Sequence, residues 1–203
     1  FFVFFLLPVL FAVVLAFMDY RPTRMSWVGF DNFRRVFTDP LMAVALRNTS
    51  IFTLAVVILW LGKALLIAYL IDPLSKGLQT FFKSAFYLPT VTSGVIISLV
   101  WLWIFNPTFG LLNAMLNTFG LENIAWLGNT RTALPALIGM QVIMGGGSSI
   151  VLLSAALARI PRDLYEVAIL DGASRGAMFR NIIVPLIRPV LLYLVVTGTI
   201  NTF

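Results

Sequence analysis

The chain has 203 residues, of which 60% are apolar and only 11% charged, with a mean hydropathy of +0.98; a water-soluble domain of that size carries roughly a quarter charged residues, so the chain reads as a membrane protein. Its net charge of +6 resides in short loops between apolar segments and not along one helix face, which speaks for topology-setting loop charge and against a nucleic-acid partner. Cys and His are both absent, which excludes disulfides and thiol redox chemistry and nearly empties the usual metal and acid–base toolkit, so neither a metal site nor a catalytic residue is expected.

In chain order, five apolar segments are predicted as membrane-spanning helices, at about 1–18, 51–71, 84–105, 133–158 and 185–203. Segment 51–71 would reach about 31 Å as a helix, enough to cross a bilayer. The segments lack period-two alternation and are too long for barrel strands, so the expected fold class is all-α, a polytopic transmembrane helical bundle. The chain begins at Phe1 and stops at Phe203 inside apolar runs, so it is expected to be a fragment of a single larger membrane domain, and no secretory signal is read at its start.

Between the first two spans, residues 19–49 mix charge with Trp27, Phe30, Phe33 and Phe37 and are expected to hold a short interfacial helix. Residues 106–132 are rich in Asn, Gly and Pro, with Trp126 expected as an interfacial anchor. Lys76, Lys83, Arg159, Arg162, Arg175, Arg180 and Arg188 lie on one side. Arg21, Arg24, Arg34, Arg35, Arg47 and Arg131 lie on the other, spread over longer loops. The denser set points weakly to the cytoplasm.

The most informative stretch runs over 160–189, IPRDLYEVAILDGASRGAMFRNIIVPLIRP. Pro161 suits the entry to a new helix, and Asp163 places an anion at the positive end of its dipole. Leu164, Val167 and Ala168 share a face at helical spacing. Gly172 tolerates positive φ and can end the helix. Ser174 can cap a second short helix running through Phe179 and Ile182, and Pro185 and Pro189 fit the entry to the next span. This helix–Gly–helix element, at 159–184, is too amphipathic to span; it reads either as a structured loop or as a docking element for a partner.

Inside the spans, polar and small residues mark either a solute route or close helix packing. Gln141, Gly145, Gly146, Gly147, Ser148 and Ser149 in the fourth segment, and Thr197, Thr199 and Asn201 in the fifth, carry both readings. Lys63 is the one charge well inside a span. It would have to bridge about 12 Å to the cytoplasmic end of its helix, partly by snorkelling, with a partner on a missing helix providing the rest; a structural role is favoured over solute contact.

The 160–189 stretch resembles the cytoplasmic "EAA" coupling loop of ATP-binding-cassette import permeases, a pattern of Glu-Ala-Ala, three residues, Gly, nine residues, then Ile-x-Leu-Pro. Here it is carried by Glu166, Val167, Ala168, Gly172, Ile182, Val184 and Pro185, with Val167 and Val184 departing from the pattern. Asp171, Gly172, Ala173 and Phe179 are similar to the sugar-permease version of maltose-permease type, and so are VGFDNFRRVF, RNTSIFT, YLPTVTSGVI and NPTFGLLNAML upstream.

The resemblance implies a type I importer permease fold, truncated before its last spans, with loop 159–184 in the cytoplasm of a prokaryote and the chain in its cytoplasmic membrane. It implies an extracytoplasmic solute-binding protein, a second permease chain of different sequence, and two cytoplasmic ATPases that bind ATP and Mg. It also implies a sugar or related polyol as solute. No GxxxxGK[ST] run occurs in the chain, so no cofactor and no enzymatic activity are expected of it. An ion-driven secondary transporter would need intramembrane carboxylates or an inverted repeat, and Asp72 and Glu166 lie at a span end and in the loop. A non-transporting scaffold would have no use for the docking element.

Overall fold

Short polar interruptions decide where the apolar segments bend. In the computed structural model, which describes residues 2–21 and 24–203, the chain forms two compact units that divide at Thr49 and Ser50.

In the first unit a π-helical turn, Phe2–Leu6, leads into α1 (Leu7–Ala16). Together they are shorter than the predicted span 1–18, and Phe1 lies outside the described residues. Two four-residue strands, β1 (Met18–Arg21) and β2 (Arg24–Trp27), then pair antiparallel with Met18 opposite Trp27. The fold is helical as expected, and this ribbon is a local addition that was not anticipated, because strands of that length are too short to display a period in sequence. The expected interfacial helix is α2 (Asp31–Thr38), with Phe33 and Phe37 four residues apart on one face. Phe17 packs on Trp27, Phe30 and Phe33 at ring distances of 5.7, 5.3 and 5.2 Å. Asn32 donates to the Ala16 and Met18 carbonyls, both at 3.0 Å, so acceptors at the end of α1 are satisfied. The Asp39 carboxylate accepts the Leu41 N–H at 2.9 Å and caps α3 (Pro40–Ile71), with Pro40 at a position that needs no donor.

The second unit begins within α3, whose 32 residues make it the longest helix described. At its far end Gln79 donates to the Asp72 and Leu74 carbonyls. The predicted span 84–105 is two helices, α4 (Lys76–Val91) and α5 (Gly94–Ile104), bent by 94°. Pro89 removes a donor near the end of α4 and is followed by Thr92, Ser93 and Gly94, all weak helix formers. The predicted span 133–158 is likewise divided, into α7 (Ala133–Met144) and α8 (Gly147–Leu157), which meet at 49°; α6 (Leu111–Thr118) lies in the loop before them.

After α9 (Arg162–Leu170) and α10 (Arg175–Met178), a π-helical turn, Phe179–Ile183, runs into α11 (Val184–Thr202). The fifth apolar helix therefore starts at Arg175 and not at 185. The widened turn precedes Pro185, which has no N–H to give the preceding turn. Two helices, Pro40–Ile71 and Arg175–Thr202, are long and apolar enough to cross a membrane, and four crossings result if each bent pair is one span.

The main core joins α3, α8, the π-helical turn and α11 through Ala64, Ala68, Ile150, Leu153, Leu157, Ile183 and Ile187. A smaller cluster sets Trp101 of α5 and Phe105 just past its end against Ala136 of α7.

Segment 106–132 is organised by Asn113, which is 1% exposed. Its amide donates to the Pro107 and Ile124 carbonyls, and its oxygen accepts from the Ile124 N–H and the Trp126 indole. Trp126, expected as a membrane-interface anchor, is thus half-buried and tied into this node. Asn113→Leu would leave those buried groups unpaired at about 1–3 kcal/mol each. We expect a lower thermal unfolding midpoint in detergent and a red-shifted Trp emission, against little change for the exposed Asn117→Ala.

Candidate functional site: an intramembrane cleft and a terminal elbow

A helix that breaks inside a membrane exposes carbonyls at one end and N–H groups at the other, with no water to bond them. The break between α7 and α8 falls at Gly145 and Gly146, the latter at φ +101°, a left-handed conformation that glycine adopts without strain. Gly145 donates back to Gln141 at 2.8 Å, and the freed carbonyls beyond it meet Lys63 of α3. Its ammonium donates to Val142, to Ile143 at 3.1 Å and to Gly145 at 2.6 Å. The partner expected on a missing helix is instead the end of α7, within this chain, so no snorkelling is needed. A lysine at a span centre costs about 2.5–3.5 kcal/mol, and an unpaired carbonyl in lipid costs several; each offsets the other here, with the cation at the negative end of the α7 dipole.

The break opens a cleft of about 450 Å³ lined from α3, α7, α8 and α11. Val56 and Trp60 come from α3; Gln141, Gly145, Gly146, Ser148 and Ser149 from the broken pair; and Tyr193, Thr197, Gly198 and Asn201 from α11. Trp60 lies against three glycines, and at Gly145 the Gln141 carbonyl is nearer still, 2.7 Å from where a Cβ would sit. A Cβ on Gly146 would lie 2.8 Å from the indole nitrogen, one on Gly145 3.1 Å from Trp60 Cδ1, and one on Gly198 3.0 Å from Trp60 Cζ3. The sequence reading found neither Trp60 nor the acceptors of Lys63, since an apolar helix gives no sign of which side meets a glycine on another.

Of the polar and small residues named from sequence, Gln141, Gly145, Gly146, Ser148, Ser149, Thr197 and Asn201 converge on this cleft. Gln141, Ser148 and Asn201 are exposed, whereas Ser149 is 2% exposed. Thr197 donates to the Tyr193 carbonyl and Asn201 to that of Thr197, both at 2.8 Å, so part of their polarity is spent within α11. Two residues leave the group. Gly147 presses on the α4 main chain, where an added Cβ would lie 2.8 Å from Tyr87 Cα; its role is packing. Thr199 faces an apolar groove with Val57, Leu61 and Leu191.

The second feature is the elbow at 159–184. Its helix α9 ends in a Schellman turn: Gly172, at φ +73°, donates to Ile169, and Ala173 donates to Ala168 at 2.9 Å. Ser174 then accepts the Ala177 N–H at 3.2 Å and caps α10, and Phe179 packs edge-on against Tyr69 at 5.3 Å. Ala168 is buried and Tyr165 half-buried, whereas Leu164, Val167, Ile169 and Leu170 are exposed, Leu170 at 86%. The inner face of α9 is therefore Tyr165 and Ala168, and its Leu164 and Val167 point away from the chain. Burial, and then the charge of Asp72, push the Tyr165 hydroxyl above its ordinary pKa. Among the described residues the one ion pair is Arg21 with Asp19, so Arg162, Asp163, Glu166, Asp171 and Arg175 are uncommitted to ion pairs. Ile182 and Pro185, the last positions of the pattern, lie in the π-helical turn and the first turn of α11.

An apolar bundle with a broken, polar-lined span and an exposed elbow is the architecture of a membrane transport component. The whole chain, residues 1–203, matches the family described as binding-protein-dependent transport system inner membrane component, and the chain belongs to that family. It is 36% identical over 184 residues to the probable ABC transporter permease protein YesP of Bacillus subtilis, covering 89% of this chain and 59% of YesP. It is 34% identical over 203 residues to the diacetylchitobiose uptake system permease protein NgcF of Streptomyces coelicolor, covering 93% of this chain and 57% of NgcF. The chain thus spans under two thirds of the length of these relatives. Among solved structures it is similar to a chain of a bacterial alginate ABC transporter in complex with an alginate pentasaccharide-bound periplasmic protein, with TM-score 0.83 and 28% identity over 97% of this chain and 66% of that one.

The two classes of small residue at the break should separate on substitution. Gly147→Val is expected to abolish monodisperse extraction in detergent, because the α4 main chain cannot yield, whereas Ser148→Val at the cleft surface leaves the size-exclusion profile unchanged.

Proposed function

We propose that this chain forms the solute route of an ATP-binding-cassette importer, as one of two permease subunits of different sequence in a prokaryotic cytoplasmic membrane. An extracytoplasmic binding protein delivers a sugar or related polyol to it. Two cytoplasmic ATPases on partner chains bind ATP and Mg, and this chain itself carries out no hydrolysis.

The elbow is the observation that carries this reading. Exposed Leu164, Val167, Ile169 and Leu170 beside charges without ion-pair partners form a surface suited to a protein partner with an apolar floor and a polar rim. Glu166, Val167, Asp171, Gly172 and Ala173 are the positions through which it docks, while Ala168 and Phe179, the other two positions of the pattern, face inward and hold the elbow to the chain. The elbow follows directly on α8, which borders the cleft at its other end, so a rigid-body movement at the dock reaches the solute route through one packed helix. At the cleft, Trp60 offers an aromatic face, and Gln141, Ser148 and Asn201 offer hydrogen-bonding groups. An aromatic wall with a few placed polar groups is suited to a hydroxylated ring.

The reading is tested on the full importer in proteoliposomes, with a panel of radiolabelled oligosaccharides presented on its binding protein. Gly172→Pro forces φ near −65° where +73° is required, and Glu166→Lys reverses a charge on the dock. Both are expected to insert normally, to lose uptake at least ten-fold and to lose solute-stimulated ATPase activity. Normal stimulation in both variants refutes the coupling role. Ser148→Trp is expected to lower uptake more than ten-fold with assembly intact; assembly failing first assigns that position to packing.

A further inference from the structure

We infer that Lys63 is a positioning residue for translocation: by occupying the carbonyls of Val142, Ile143 and Gly145, it holds α7 and α8 apart and keeps Ser148 turned to the cleft. The inference deepens the reading of the cleft as the solute route and rests on it.

An ammonium has three protons to donate, and all three have carbonyl acceptors: Val142, Ile143 at 3.1 Å and Gly145 at 2.6 Å. The cation is therefore committed to the main chain and is not among the residues lining the cleft. Those carbonyls are the ones that a continuous helix would bond to residues 146, 147 and 149 four positions on. Lysine competes with that repair. Without it, the main chain of this span satisfies its polar groups best by re-forming those bonds, which draws Gly146 out of its left-handed conformation and rotates Ser148. Packing of the indole of Trp60 against Gly145 and Gly146 supports the broken form from the same helix one turn earlier, but it supplies no donor to those carbonyls.

The 203 residues contain no Cys, so an introduced thiol is a clean reporter within them. In the full importer complex in nanodiscs, Ser148→Cys is labelled with a cationic, membrane-impermeant methanethiosulfonate, with Thr108→Cys in the loop 106–132 as a control. Lys63→Met is expected to slow labelling at position 148 at least five-fold and to leave position 108 unchanged. Lys63→Arg, which keeps a cation and several donors, is expected to stay within two-fold of the parent. Parent-like labelling at 148 in an assembled Lys63→Met complex overturns the inference, as does an equal change at both thiols, which marks general loosening. Should Lys63→Met not assemble, Lys63→Gln takes its place: slowed labelling confined to position 148 upholds the inference and unchanged labelling overturns it. The labelling rate needs no transported solute. A failure of the transport reading would appear as absent uptake with this pattern intact, whereas a failure of Lys63 as the pin would appear as unchanged labelling whatever the uptake.

Discussion

A main-chain carbonyl inside a bilayer has no water to turn to, so a spanning helix breaks only where another group takes over its ends. In this chain that group is Lys63, whose ammonium meets the end of α7. The lysine and the break are each costly alone and tolerable together. The cleft depends on this exchange: with α7 and α8 continuous, the glycine break that makes room for Trp60 and exposes Ser148 would be lost, and the polar groups of α11 would face an unbroken helix.

The same α8 ties cleft to elbow. Ile150, Leu153 and Leu157 along it are nearly inaccessible, and they share a core with Ile160, Ile183 and Ile187. A tightly packed interior transmits displacement and does not absorb it. The elbow is gripped from the other side by Phe179 against Tyr69, while its outward face carries Leu164, Val167, Ile169 and Leu170. It therefore has one face held within the chain and one exposed.

Local chemistry was legible in the residue order. Gly172 as a helix stop, Ser174 as a cap and the amphipathic α2 could be read directly, because each depends on neighbours within a few residues. The α7–α8 break was half legible: three glycines signalled weakness, with nothing to say whether they served packing or a route. The structure divides them, Gly145 and Gly146 to the cleft and Gly147 to the α4 main chain. The bend between α4 and α5 was missed because residues 84–105 were read for run length, which is blind to direction, and the interruption from Pro89 to Gly94 was absorbed into one apolar run. The ribbon of β1 and β2 escaped because strands of four residues show no period, and the Asn113 node because an Asn in a segment rich in Asn, Gly and Pro reads only as loop.

Composition and spacing were sufficient to establish a helical membrane protein with an elbow of recognisable pattern, since hydropathy and turn chemistry act along the chain and need no knowledge of what lies across it. Which helix Lys63 answers, which glycines Trp60 sits against, and which of the polar residues share one cleft were settled by packing alone. Those contacts join residues some eighty to one hundred and forty positions apart, and a helix buries or exposes a side chain according to its neighbours in space.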